Sequence, residues 1–131
     1  VKRRYRYQQF SSEDQIQAAI VSLLRVSGHR DLIWFHCPNG IPCSKETGAR
    51  FVKLGMKAGV PDLCFVLPYA RPAFLEVKTK GGRQSIAQRA FEMKCNFVGV
   101  PYAIVRSVTE AQEILSRWGA LQERSVERRA A

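Results

Sequence analysis

A chain of 131 residues with 46% apolar content is long enough to bury one core and too short for two ordinary domains. Lysine and arginine outnumber aspartate and glutamate by 21 to 11, a formal net charge of +10, so the expected partner is a polyanion, most often nucleic acid. No apolar run approaches the roughly 18 residues of a membrane-spanning helix, and VKRRYRYQQF at the start lacks the apolar core of a signal peptide.

Residues 1–10 are basic and aromatic without periodicity and read as an arm. Ser12-x-x-Gln15 reads as a capping box, and Ile16, Ala19, Ile20, Leu23 and Leu24 then recur at helical spacing until Gly28. Glu13 falls on the same face as Ile16 and Ile20, an unusual place for an acid. Leu32 to Cys37 reads as a strand ended by the turn Pro38-Asn39-Gly40. His36, Cys37 and Cys43 lie near one another, but no further cysteine or histidine pair completes a zinc site. With no C-x-x-C spacing, the cysteines are expected as free thiols.

A second helix is expected from about Ser44 to Lys57, weakened by Gly48 and Gly55. Gly59-Val60-Pro61 leads into a strand, Leu63 to Leu67. A proline-marked loop, Pro68 to Pro72, joins it to another, Phe74 to Thr79. After the basic, glycine-rich Lys80 to Gln84, Ser85-x-x-Gln88 opens a third helix that is expected to bury Ile86, Ala90, Phe91 and Cys95. Pro101 introduces a strand, Tyr102 to Val105, and Ser107-x-x-Glu110 starts a last helix with Ala111, Ile114, Leu115 and Trp118 on one side. The order α-β-α-β-β-α-β-α predicts an α/β domain, a small mixed sheet flanked by helices, over residues 11–119, followed by a charged tail, 120–131.

Two strands carry acids where a sheet wants apolar residues. In a strand, Glu76 and Lys78 share one face. If the hairpin pairs symmetrically about Tyr69, residue 62 opposes 76, and Asp62 and Glu76 become cross-strand neighbours. Two carboxylates that close repel unless a cation sits between them. With Glu13 added, three negative charges face one lysine, a surplus that a hard, oxygen-liganded ion such as Mg2+ or Mn2+ would neutralise. Beside it Lys78 can orient a water attacking a phosphodiester. The ordinary alternative is a surface ion pair.

Pro61-Asp62 and Glu76-Val77-Lys78 resemble the signature of the PD-(D/E)XK nucleases. His36-x-Pro38-Asn39-Gly40, Gly55-x-x-x-Gly59-x-Pro61-Asp62-Leu63, Gly82-Arg83-x-Ser85-x-x-Gln88 and Gly99-x-Pro101-Tyr102 extend the likeness to the VRR-NUC (virus-type replication-repair nuclease) domain of stand-alone type. The resemblance implies a restriction-endonuclease-like mixed sheet and a catalytic set of Asp62, Glu76, Lys78, Gln88 and Glu13. It implies metal bound by Asp62, Glu76, the Val77 backbone carbonyl and Glu13. Stand-alone members resemble Holliday-junction resolvases and pair as homodimers, so a branched DNA substrate, a homodimer and the cytoplasm of a bacterial or phage-infected cell are expected.

Around this set, His36, Asn39, Lys53, Lys57, Lys80, Gly82, Arg83 and Ser85 are candidate DNA contacts, the last four because backbone and side-chain donors there can hold a phosphate. Trp34, Phe65 and Phe91 read as core. The competing functions are a flap or other structure-specific nuclease and a basic nucleic-acid-binding module whose acids are structural.

Overall fold

The structure, a computed structural model, describes residues 11–38 and 42–123. The arm at 1–10, Asn39 and residues 124–131 of the tail lie outside them. The described elements follow the expected order: α1 Ser12–Ser27, β1 Ile33–His36, α2 Lys45–Lys53, β2 Leu63–Leu67, β3 Arg71–Val77, α3 Ile86–Val98, β4 Tyr102–Val105 and α4 Val108–Arg117.

The strands form one mixed sheet in the order β1-β2-β3-β4, antiparallel except for the parallel pair β3 and β4 that α3 connects. Leu63 lies opposite Leu75, Phe65 opposite Ala73 and Leu67 opposite Arg71, which is the hairpin centred on Tyr69. Tyr69 and Ala70 both take positive φ, 66° and 60°, to close a loop shorter than the expected Pro68 to Pro72. Arg71 and Pro72 belong to β3 instead. Pro72 is tolerated there because Phe74 N–H donates outward to Pro101 O, so the Pro72 nitrogen points to the same edge, beyond the start of β4, where no ladder bond is needed.

Odd-numbered residues of the hairpin make the main core. Leu63, Phe65, Leu67, Ala73, Leu75 and Val77 meet Ile20 and Leu24 of α1 and Ala111 and Leu115 of α4. Trp118 packs edge-on to Phe65 at 6.2 Å. Even-numbered residues face α3, where Phe91 stands edge-on to Phe74 at 5.1 Å. Glu76 is therefore on the α3 side of the sheet, away from the main core. Of the expected core aromatics, Phe65 is fully buried and Trp34 and Phe91 partly so.

Five expectations need correction. The box at the start of α1 uses Ser11 and Asp14, not Ser12 and Gln15: Ser11 Oγ accepts from Asp14 N–H, and Asp14 Oδ2 from Ser11 N–H, at 3.1 Å each. An acid as third helical residue also answers the helix dipole, which glutamine cannot do. The α2 helix ends at Lys53, because Gly55 takes φ +100° and turns the chain, so Lys57 stands off the helix. On α3, Ile86 and Ala90 are exposed, not buried. At α4, Glu110 Oε2 accepts from Arg106 N–H and not from the Ser107 cap, so half of that box is displaced by one residue. Residues 120 to 122 of the expected tail lie against α1: Ala120 is buried, its carbonyl accepts from His29 N–H, and Gln122 N–H donates to Ser27 O.

Candidate active site

Along β3, amide hydrogens alternate between neighbours. Those of Phe74 and Lys78 point to β4, donating to Pro101 O and Val105 O at 3.0 Å, so that of Val77 points to the β2 side. There β2 does not reach, since its first residue, Leu63, lies opposite Leu75. Asp62, one residue before β2, supplies the missing acceptor: its Oδ2 takes the Val77 N–H at 2.7 Å. Continuing the register by one residue sets Asp62 opposite Glu76, as the sequence reading requires.

Glu76 is 2% exposed. Its Oε1 accepts from Gln88 Nε2 at 2.9 Å and lies 3.3 Å from Lys78 Nζ. Its Oε2 is buried with no hydrogen-bond donor among the described residues; the Asp62 carboxyl can partner Glu76 only through a shared proton, which is lost when both ionise. Leaving a buried carboxylate oxygen unpaired is costly, on the order of 1–3 kcal/mol or more for a charged group. Burial pushes the Glu76 carboxyl up to about 7; the neighbouring Asp62 charge adds to the rise and Lys78 opposes it. Lys78 is itself buried, and its ammonium also lies 3.6 Å from Glu13 Oε1. Glu13 thus reaches the cluster through the lysine.

Gln88 is fixed from two sides. Its Oε1 accepts from Ser85 N–H at 2.8 Å and its own N–H donates to Ser85 Oγ, the capping box read from the sequence. The amide oxygen is committed to the cap, so the amide nitrogen must be the end that meets Glu76. One motif both starts α3 and orients a donor into the site. Gly59 makes the junction possible: at φ +79° it lies so close to α3 that a Cβ would come within 2.3 Å of the Ala87 carbonyl carbon.

Lys80 and Arg83 are exposed on the loop that follows β3. That loop is pinned by a residue the sequence reading missed: Arg106 Nη1 donates to Thr79 O at 2.6 Å and to Gly82 O at 2.8 Å. Gln84 is a second missed strut, donating from Nε2 to Glu92 Oε2 at 2.9 Å and to Tyr102 Oη at 3.3 Å. His36 Nδ1 lies 2.6 Å from the Asp62 carbonyl, so it carries the proton and donates, leaving Nε2 as the ring's other polar end. Gln17 Nε2 sits 3.0 Å from the same Nδ1. Lys53, at the end of α2, and Lys57 are exposed but no longer share a helix face.

The donor set suits a hard divalent cation: two adjacent carboxylates, one with an unpartnered buried oxygen, and no imidazole or thiol required. No group of three or more His, Cys, Asp and Glu gathers among the described residues. A cation held here needs a backbone oxygen as well, and the Val77 carbonyl between Glu76 and Lys78 is the candidate.

The family profile of the VRR-NUC domain matches residues 11–109. A solved "VRR_NUC domain protein" superposes with a TM-score of 0.68 at 18% identity, covering 88% of this chain and 99% of the other. A second structure, titled "VRR_NUC domain", gives a TM-score of 0.58 at 17% identity, with 83% and 99% covered. No curated protein sequence matches significantly. The fold is shared with both structures, the profile spans Asp62, Glu76, Lys78 and Gln88, and the chain belongs to the VRR-NUC domain family, nucleases of the PD-(D/E)XK type.

Proposed function

We propose that this chain is a Mg2+- or Mn2+-dependent endonuclease that hydrolyses phosphodiester bonds in branched DNA such as four-way junctions. It acts as a homodimer, in the cytoplasm of a bacterial or phage-infected cell. The observation that carries the metal-dependent reading is the buried, unpartnered Glu76 Oε2 beside Asp62.

Asp62, Glu76 and the Val77 carbonyl are assigned as the metal-binding set. When bound, the cation supplies Lewis-acid stabilisation of the charge that develops on the phosphodiester and activates water. Lys78 orients the attacking water and offsets oxyanion charge. Glu13, expected as a further ligand, is assigned to Lys78, whose ammonium it holds from the other side. Gln88 fixes the rotamer of Glu76 through its Oε1 and leaves Oε2 to the ligand. His36 ties the Asp62 backbone to β1, and Lys80, Gly82, Arg83 and Ser85 meet the DNA backbone at the mouth of the site, with Lys53 and Lys57 as further contacts.

A junction, a flap and plain duplex, each incubated with Mg2+ and with EDTA, test this reading. Cleavage of the branched substrates is expected in Mg2+ alone and is expected to be lost in Lys78→Ala. Equal cleavage in EDTA, or full activity in that variant, contradicts it. A second reading has its own observation: Asp62 already serves the sheet by accepting the Val77 amide, as a purely structural acid would. A binding module of that kind predicts salt-sensitive DNA binding and no cleavage with any metal.

A further inference from the structure

We propose that the outward face of α3 is the surface on which two copies of this chain pair. The inference rests on the homodimer of the proposed function and names its interface.

The sheet-facing side of α3 carries Gln88, Phe91 and Cys95. On the opposite side Ile86, Ala90, Met93 and Phe97 recur at spacings of four, three and four, one stripe of a helix. Ile86 is 89% exposed, Met93 70% and Phe97 87%. Val98, 55% exposed, adjoins them, and a groove of about 570 Å3 bordered by Lys57, Ala87, Lys94 and Val100 runs alongside. Scattered apolar residues on a surface are ordinary, but a helix apolar on two opposite faces is built to be covered on both.

The stripe is self-complementary, which points to a second copy as the cover. In an antiparallel pair about a twofold axis at its midpoint, Ile86 meets the partner's Phe97, and the small Ala90 meets the partner's Met93. The flanks agree in charge. Arg89 falls opposite the partner's Asn96, and Lys94 opposite the partner's Ala87, so no like charges meet. The stripe exposes on the order of 600 Å2 per copy, and Val98 with the neighbouring groove brings it toward the roughly 800 Å2 per partner of a stable interface. None of the four stripe residues is a cation, and the Lys94 ammonium beside them lies over the Phe97 ring, 6.0 Å from its centroid. Gln88 holds Glu76 from the far side of the same helix, so pairing along α3 fixes both active sites relative to the dimer axis. Two strands of one branched substrate can then be cut in a single encounter.

Sedimentation equilibrium of the full chain, without DNA or metal, tests the surface independently of any nuclease activity. Wild type is expected as a dimer. Phe97→Glu and Met93→Glu are each expected to weaken dimerisation by at least about 100-fold, since each places two charges in the interface. Their thermal melts, followed at concentrations where they are monomeric, should show a folded domain, the changed side chains being exposed in the protomer. Ala90→Cys/Met93→Cys should oxidise to a dimer-sized product. A monomeric wild type overturns the proposal, whether or not the face then captures another protein, and so do glutamate variants that remain fully dimeric.

Discussion

The helices α2 and α3 begin with the same device and come to different ends. Each opens on a serine, Ser44 or Ser85, whose hydroxyl accepts the amide three residues on. In α2 that third residue is Thr47, whose Oγ1 accepts a hydrogen bond from the Ser44 hydroxyl at 2.9 Å, and the helix buries no side chain. In α3 it is Gln88, which gives Oε1 to the cap and Nε2 to Glu76. A cap becomes part of a site when its side chain has a second polar end and a buried partner within reach.

The largest effect is expected where that partner is removed. Glu76→Gln keeps the shape but loses the charge, and Mg2+-dependent cleavage should fall at least about 1000-fold while the fold survives. Gln88→Glu is the sharper probe, because it preserves the capping box and sets a carboxylate against Glu76. Cleavage should fall on the order of 100-fold. The cap comparison is more direct: Ser85→Ala should cost about 1 kcal/mol in urea unfolding and lower cleavage roughly tenfold by loosening Gln88, whereas Ser44→Ala should leave cleavage within about twofold. Equal losses in the two serine variants would show that the α3 cap has no special link to the site.

A smaller effect concerns pH. In metal-free buffer the folded chain keeps a proton on Glu76 that the unfolded chain releases, because the group titrates near 7 folded against 4.5 ordinarily. Its contribution to stability is complete below about 4.5 and is lost as pH rises through about 7. The urea midpoint in EDTA should therefore be higher at pH 5 than at pH 8, and Glu76→Gln should flatten that difference. Smallest is Arg106→Met, which frees the Lys80 to Gln84 loop from its anchor. Junction affinity at low salt should fall several-fold with little change in metal binding.

Much of this arrangement was legible in the chain itself. The hairpin register followed from symmetry about Tyr69, and with it the meeting of Asp62 and Glu76; the α3 capping box was written in Ser85 and Gln88. What stayed hidden depends on space, not spacing. Arg106 reaches carbonyls 24 and 27 residues back, and no local pattern announces such a bond. The apolar residues of α3 mark two faces, and periodicity alone does not say which of them meets the sheet, so it does not separate the exposed Ile86 and Ala90 from the sheet-facing Phe91 and Cys95. The α1 box moved by one residue because Ser11 and Ser12 both offer a cap and Asp14 decides between them. Glu13 shares the helical face of Ile16 and Ile20, and its contact is with Lys78.

On the proposed function, Asp62 and the unpartnered Glu76 oxygen hold a divalent cation. Calorimetric titration of Mn2+ into wild type, Asp62→Asn and Glu76→Gln at pH 8 tests it without DNA. Saturable binding to wild type, weakened at least about tenfold in either variant, is expected. Indistinguishable Mn2+ binding in all three proteins would contradict it.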